Sequence, residues 1–157
     1  MPRIPRAIYE VMVAHALADA KNEVCGIIHA RDGKAFAVHL VDNVATTDEA
    51  GRPRGPSPFR YYMAPMQQSR LEQIRDRTGE TLFAIYHSHV NSAAYPSQTD
   101  RRQAFFPPAK DDDDFDREPA YPGVYYIVIS LAHEEPEVKA FRILRGNVVE
   151  PDDIEVI

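Results

Sequence analysis

A chain of 157 residues fits one domain with a single buried core, so one domain over residues 1–157 is expected, and at 44% hydrophobic and 27% charged its composition is that of an ordinary globular protein. No apolar run approaches the roughly 20 residues needed to cross a bilayer, and the formal charge of -6 argues against nucleic acid or an anionic membrane as the main partner. The lone Cys25 excludes an intrachain disulfide and Met1–Arg6 lacks the apolar core of a signal peptide, so a cytoplasmic setting is expected.

Pro5 suits the first turn of a helix, where a missing N–H costs little. Ile8, Val11, Met12, His15 and Ala16 recur at three- and four-residue steps and predict a helix over 6–20. Val24 to Ala30 reads as an apolar strand, Arg31-Asp32-Gly33-Lys34 as a hairpin turn, and Ala35 to Val41 as the returning strand with Phe36, Val38 and Leu40 on one face. Residues 46–58 are polar and rich in Gly and Pro, hence a loop, and Phe59 to Met63 reads as a short strand. Pro65 to Arg77 carries Met66, Leu71 and Ile74 amid charge, a second helix ended by Thr78-Gly79. Thr81 to His89 is a continuous apolar strand, and Ser97 to Phe105 a third helix. The long segment 107–123 has five Asp among the six positions from Asp111 to Asp116 and reads as a solvated loop. Val124 to Leu131 is the most strand-like stretch, and Glu137 to Leu144 alternates and closes the sheet. This order predicts an α/β fold, a mixed sheet flanked by helices on both faces.

The chemistry concentrates at His87-Ser88-His89 and Pro96-Ser97-Gln98-Thr99-Asp100. Two histidines at i, i+2 on a strand project to one face. With Asp100 they form a set of two imidazoles and one carboxylate that suits zinc and leaves a fourth position for water, as catalytic sites do. Ser97-Gln98-Thr99-Asp100 also has the form of a helix capping box, and both roles can hold together. Cys25 is read as a small buried core residue rather than a nucleophile or a fourth ligand. His15, His29, His39 and His133 have no metal-type spacing. By position alone, Glu23 is a solvated residue in a helix-to-strand turn.

His87-Ser88-His89, seven residues, Ser97, two residues, Asp100 resembles the signature of the JAMM (also called MPN+) metalloproteases. Glu23-Val24-Cys25-Gly26, Tyr86-His87-Ser88-His89 and Ala94-Tyr95-Pro96-Ser97 are most similar to the small stand-alone prokaryotic branch, and the resemblance runs from about Val11 to Arg145. It implies a deaminase-like, three-layer α-β-α fold and one zinc per chain held by His87, His89 and Asp100. It further implies Glu23 as the general base and Ser97 as a hydrogen-bond donor to the oxyanion. The reaction it implies is cleavage of the amide bond after the C-terminal Gly-Gly of a ubiquitin-like sulfur carrier protein, joined either to cysteine or to a lysine. Two readings compete: a non-catalytic binding module like the metal-free MPN scaffolds, which usually lack the ligands, and a zinc hydrolase of small molecules.

Overall fold

The structure, a computed structural model, describes residues 1–157. Twelve short elements follow in the order β1 (Arg3–Ile4), α1 (Arg6–Ala18), β2 (Cys25–Arg31), β3 (Lys34–Val41), α2 (Pro65–Thr78), β4 (Thr81–His89), α3 (Gln98–Gln103), a 3-10 turn (Asp112–Phe115), β5 (Tyr125–Ser130), β6 (Glu137–Leu144), β7 (Val148–Asp152) and β8 (Glu155–Val156). Six strands make one mixed sheet in the order β3-β2-β4-β5-β6-β7. Within this sheet only β4 and β5 run parallel, and the long crossover that parallel pairing requires contains α3 and the Asp-rich segment.

Each sheet face has its own core, as strand alternation demands. On one face Ile8, Met12 and Ala16 of α1 pack on Ile28, Ala84, Tyr86, Ile127 and Ile129. On the other, Leu71 of α2 and Phe105 after α3 pack on Cys25, Ile27, Ile85, Tyr126 and Ile143. This is the three-layer arrangement expected from the sequence. His87 and His89 continue the alternation of Ile85 and so belong to the α2/α3 side.

Several expectations are revised. β6 does not close the sheet, because β7 pairs along its outer edge. β1 and β8, two residues each, join the chain ends in parallel, Arg3 opposite Glu155; strands so short carry no readable periodicity. Residues 59–63 form no strand but a single bridge, Asn43 to Met63. Phe36 and Leu40 are about half exposed, because β3 is an edge strand of the sheet. Phe36 instead receives the Arg31 guanidinium over its ring at 3.6 Å. The Asp-rich segment is not wholly solvated: its one apolar residue, Phe115, is buried and meets Phe105 edge-on at 5.3 Å. Arg117 holds the surrounding loop through the carbonyls of Phe106, Pro107 and Asp114, and Asp116 pairs with Arg145 at 2.9 Å.

Two residues after Ile27, His29 faces the α2 side by strand alternation, at the end of the sheet away from the His87 ligand strand end, and the ladders on both sides of it are bulged by an extra residue, Phe36 in β3 and Phe83 in β4. Arg75 donates to His29 Nε2 at 3.0 Å, so Nδ1 carries the proton and donates to Glu80 at 3.3 Å. Arg31 donates to the other Glu80 oxygen at 3.0 Å. Burial, with the neighbouring His39 and Arg75, lowers the His29 pKa from its ordinary 6.5, while Glu80 acts in the opposite sense. A histidine held neutral in the fold contributes stability that is present above the ordinary value and is lost as pH falls through the depressed one. Thermal midpoints measured from pH 7.5 to 5 should therefore fall, and His29→Gln should flatten that dependence; an unaltered slope in the variant excludes His29 as its origin.

Gly26 lies opposite Tyr86, and a Cβ there would overlap the tyrosine ring. Tyr86 is fully buried and bonded through its hydroxyl to His15 Nδ1 at 2.7 Å, so it has nowhere to move. Gly26→Ala should cost about 1–3 kcal/mol by overpacking. That corresponds to roughly 2–4 °C in Tm per kcal/mol for a chain of this size; a calorimetric midpoint equal to that of the parent would refute the contact.

Candidate metal centre

β4 ends in His87-Ser88-His89, and the alternation of the strand sends the two imidazoles to one side and Ser88 to the other. The chain then turns and enters α3 with Ser97 at the N-cap. Ser97 Oγ accepts from the Asp100 N–H at 3.1 Å, and the Asp100 carboxylate accepts from the Ser97 N–H at 2.8 Å, a reciprocal capping box. The same Asp100 oxygen, Oδ2, lies 2.9 Å from His87 Nε2 and 3.2 Å from His89 Nε2. The two Nε2 atoms are 3.1 Å apart. His89 Nδ1 donates to the Ala93 carbonyl at 2.8 Å, which fixes a proton there and turns Nε2 toward His87 and Asp100. His87 stacks on the buried ring of Tyr61 at 4.4 Å between centroids.

Glu23 reaches the same place from the other side of the sheet sequence. A carboxylate oxygen of Glu23 and a ring nitrogen each of His87 and His89 lie within 4.8 Å of one another, and all three residues are buried. Glu23 Oε1 is buried without any hydrogen-bond partner, as is His87 Nδ1. An orphaned carboxylate oxygen costs desolvation energy that only a proton, a water or a cation can offset. The structure thus brings together Glu23, His87, His89 and Asp100, with Ser97 at the edge, exposed and with its hydroxyl proton free. The solvated turn residue suggested for Glu23 by position alone is instead buried at 4% exposure.

The two carboxyl groups experience opposite environments. Burial, reinforced by the charge of Asp100 and only partly offset by His89, pushes Glu23 up to about 8. Burial also disfavours the Asp100 charge, but the His87 charge and the hydrogen bonds from His87, His89 and the Ser97 N–H outweigh it and hold the group well below the usual carboxylate range. For His89, burial is overcome by the bonds to Asp100 and Ala93, and the pKa rises. One acid is thereby suited to exchange protons near neutrality and the other to remain an anion. Cys25 is fully buried, donates its thiol to the Val41 carbonyl at 3.5 Å, and burial with Asp42 and Glu23 nearby pushes it up to about 12. It is a core residue, as expected. His15 and His29 are engaged by Tyr86 and by Arg75 with Glu80, and His133 is exposed.

Two residues that position the site escaped the sequence reading. Ser88, the middle of the His-Ser-His motif, accepts the Val24 N–H on Oγ at 2.8 Å, while its own N–H donates to the Val24 carbonyl at 3.0 Å. It clamps the residue next to Glu23 onto the ligand strand. Asn43 donates to the Glu23 carbonyl at 2.9 Å and to the Arg60 carbonyl at 3.1 Å, and accepts from Ala45 and Tyr62. Nothing in the local sequence marks either, since each acts on backbone brought from elsewhere. Ser88→Ala leaves the buried Val24 N–H without a partner, an expected cost of about 1–3 kcal/mol. The Val24 amide should then exchange with solvent faster in native-state hydrogen exchange; unchanged protection would show that the hydroxyl contributes nothing there.

Comparison with known proteins places these features. The chain is 27% identical over 144 residues to the CysO-cysteine peptidase of Mycobacterium tuberculosis, covering 91% of this chain and 83% of that protein. It is 32% identical over 102 residues to a probable TtuB-protein conjugate cleaving protease of Thermus thermophilus, covering 64% and 62%. A solution structure of a protein from Desulfitobacterium hafniense superposes with a TM-score of 0.73 at 27% identity, covering 100% of this chain and 93% of that one. Residues 5–144 match the family described as prokaryotic homologs of the JAB domain, and the chain belongs to that family.

Proposed function

We propose that this protein is a zinc-dependent peptidase or isopeptidase that cleaves the amide bond after the C-terminal Gly-Gly of a ubiquitin-like sulfur carrier protein. The observation that carries this reading is the convergence of His87, His89 and Asp100 beside a buried carboxyl that is poised near neutrality. Their ligand atoms stand 2.9–3.2 Å apart. That is close to the roughly 3.3 Å edge of a tetrahedral site with zinc–ligand distances near 2.0–2.1 Å. The donor set of two imidazoles and a carboxylate suits zinc, and the unpartnered Glu23 Oε1 supplies a group for a water in the fourth position.

His87, His89 and Asp100 would hold a zinc ion, which would supply Lewis acidity to a water and to the scissile carbonyl. Glu23 accepts a proton from the attacking water and returns it to the leaving nitrogen, for which a pKa raised by burial is suited. Ser97, whose oxygen is held by the Asp100 N–H, has its hydroxyl proton free to donate to the oxyanion. Beside His87, Tyr61 opens onto a cleft of about 490 Å³ lined by Tyr62, Met63, Phe105, Phe106 and Tyr121, apolar enough to seat a substrate tail. The relatives support the substrate class, since one is named for a carrier–cysteine adduct and another for a carrier–protein conjugate. A non-catalytic scaffold is disfavoured, because it has no use for four convergent ligating and titratable groups. No helix is long and apolar enough to cross a membrane.

Purified protein should bind one zinc per chain, and His89→Ala should abolish binding; full retention of zinc by that variant would remove His89 from the ligand set. Glu23→Gln preserves shape and removes the base. It should keep its zinc and lose at least about 100-fold in turnover of a Gly-Gly-linked adduct, the low end of the range for general acid–base catalysis. Ser97→Ala should lose less. Parent-like turnover by Glu23→Gln, with zinc measured in the same samples, would eliminate Glu23 as the base.

A further inference from the structure

The two imidazoles of the cluster are held in different ways. His89 Nδ1 donates to the Ala93 carbonyl at 2.8 Å. The loop that carries Ala93 is tied to β5, where Ser130 Oγ donates to the Ser92 carbonyl at 2.6 Å, and the Leu131 N–H donates to the His89 carbonyl at 2.9 Å. A ligating histidine is ordinarily oriented in this way, by a partner on the ring nitrogen that the metal does not take. His87 has none: Nε2 faces His89 and Asp100 at 3.1 and 2.9 Å, while Nδ1 is buried and unbonded. The Asp100 contact decides which edge of the His87 ring faces the cluster. It does not fix the plane of the ring, because rotation about the Cβ–Cγ bond of an imidazole is only loosely restricted.

The plane is set by Tyr61. The two rings lie face to face, with centroids 4.4 Å apart and planes 25° from parallel, and Tyr61 is buried. Residues 59–63 form no strand, so no ladder holds this ring in place; Asn43 does so instead. Its side chain accepts the Tyr62 N–H at 2.9 Å and donates to the Arg60 carbonyl at 3.1 Å, gripping the backbone on both sides of Tyr61. The Val44 N–H donates to the Tyr62 carbonyl at 2.8 Å, and Cys25, Ile85 and Tyr126 share the core in which the ring sits. Asn43 also donates to the Glu23 carbonyl at 2.9 Å, so one side chain ties the stacked ring to the segment that carries the carboxyl. A buried aromatic residue has packing as its ordinary role. Tyr61 is set apart by what it faces, a ligand that lacks its orienting hydrogen bond. An imidazole that binds a cation through Nε2 takes on positive character, and the electron-rich face of a tyrosine favours that form.

We propose that Tyr61 is the positioning residue for His87: its stacked ring fixes the imidazole plane in place of the missing hydrogen bond and thereby raises the affinity of the site for zinc. This rests on the zinc reading of the cluster and deepens it. Tyr61 acts through His87 and through its face, so its hydroxyl is dispensable for the effect.

Three variants provide the test. Tyr61→Phe keeps the face, Tyr61→Leu removes it, and Tyr126→Leu removes an aromatic ring from the same core that does not stack on His87. Zinc affinity is measured by competition with a chromogenic chelator. Losing the orienting partner of a ligating histidine typically costs about 10–100-fold in metal affinity, so Tyr61→Leu should bind zinc at least about tenfold more weakly. Tyr61→Phe and Tyr126→Leu should bind it as the parent does. Parent-like affinity in Tyr61→Leu, an equal loss in Tyr61→Phe, or an equal loss in Tyr126→Leu overturns the role of Tyr61 and leaves the zinc reading intact. A parent that binds no zinc overturns both. With zinc in excess, Tyr61→Leu should recover its kcat on a Gly-Gly-linked adduct; a deficit that excess zinc does not correct shows that Tyr61 acts on the substrate and overturns the positioning role. Should Tyr61→Leu fail to fold, as judged by loss of a cooperative thermal transition, Tyr61→Met takes its place. A readout without metal uses the zinc-free protein. The carbon-bound ring protons of His87 should be displaced upfield by the ring current in the parent and in Tyr61→Phe, and should return toward ordinary positions in Tyr61→Leu; undisplaced resonances in the parent reject the stack.

Discussion

The pairing of β2 with β4 is the constraint on which the site depends. Cys25 stands opposite His87, so the residue two positions before Cys25 is carried to the end of the ligand strand. Beyond Cys25 the ladder is continued by Ser88, which engages both the N–H and the carbonyl of Val24. A slip of one residue would turn the imidazoles toward the α1 face and separate them from Glu23. The close fit of Tyr86 over Gly26 resists such a slip, since the ring occupies the space that any side chain at that position would need.

Two carboxyl groups of similar intrinsic acidity acquire different roles through their surroundings. Asp100 is placed by the first turn of α3, where it caps the helix and contacts both imidazoles with one oxygen. Its hydrogen bonds favour the anion. Glu23 lacks such bonds on Oε1, and burial favours its protonated form. The first turn of α3 holds Asp100, while Glu23, in the turn just before β2, is fixed by its N–H to the Ser57 carbonyl and by Asn43 on its own carbonyl, which preorganises the site. The placement at the carboxyl end of β4, beside its parallel neighbour β5, is where open α/β sheets bind ligands.

The environment around this centre is asymmetric. Aromatic side chains gather on the Tyr61 side, and charged groups around the cleft that contains Glu23. Asn43 links the two, since one amide side chain bonds to the backbone of Glu23, Arg60 and Tyr62. The Asp-rich segment takes its position from the buried Phe115 together with the Asp116–Arg145 pair, and so belongs in part to the core beneath the aromatic side.

Periodicity in the sequence determined the long elements: the apolar spacing of α1, the continuous apolar runs of β4 and β5, and the mixed three-layer sheet they imply. The His87-Ser88-His89 and Ser97–Asp100 spacings were legible too, because strand alternation and helix capping are local rules that place side chains within a few residues. Glu23 was legible only through resemblance, since its proximity to His87 arises from strand pairing across 64 residues. The same holds for Ser88 and Asn43, whose partners are backbone groups distant in the chain. The short strands β1 and β8, the edge position of β3 and the burial of Phe115 were likewise decided by tertiary contacts. A two-residue pairing, a bare sheet edge and a single apolar residue in an acidic run leave no periodic signal, and only the surfaces that close over them determine whether they are buried.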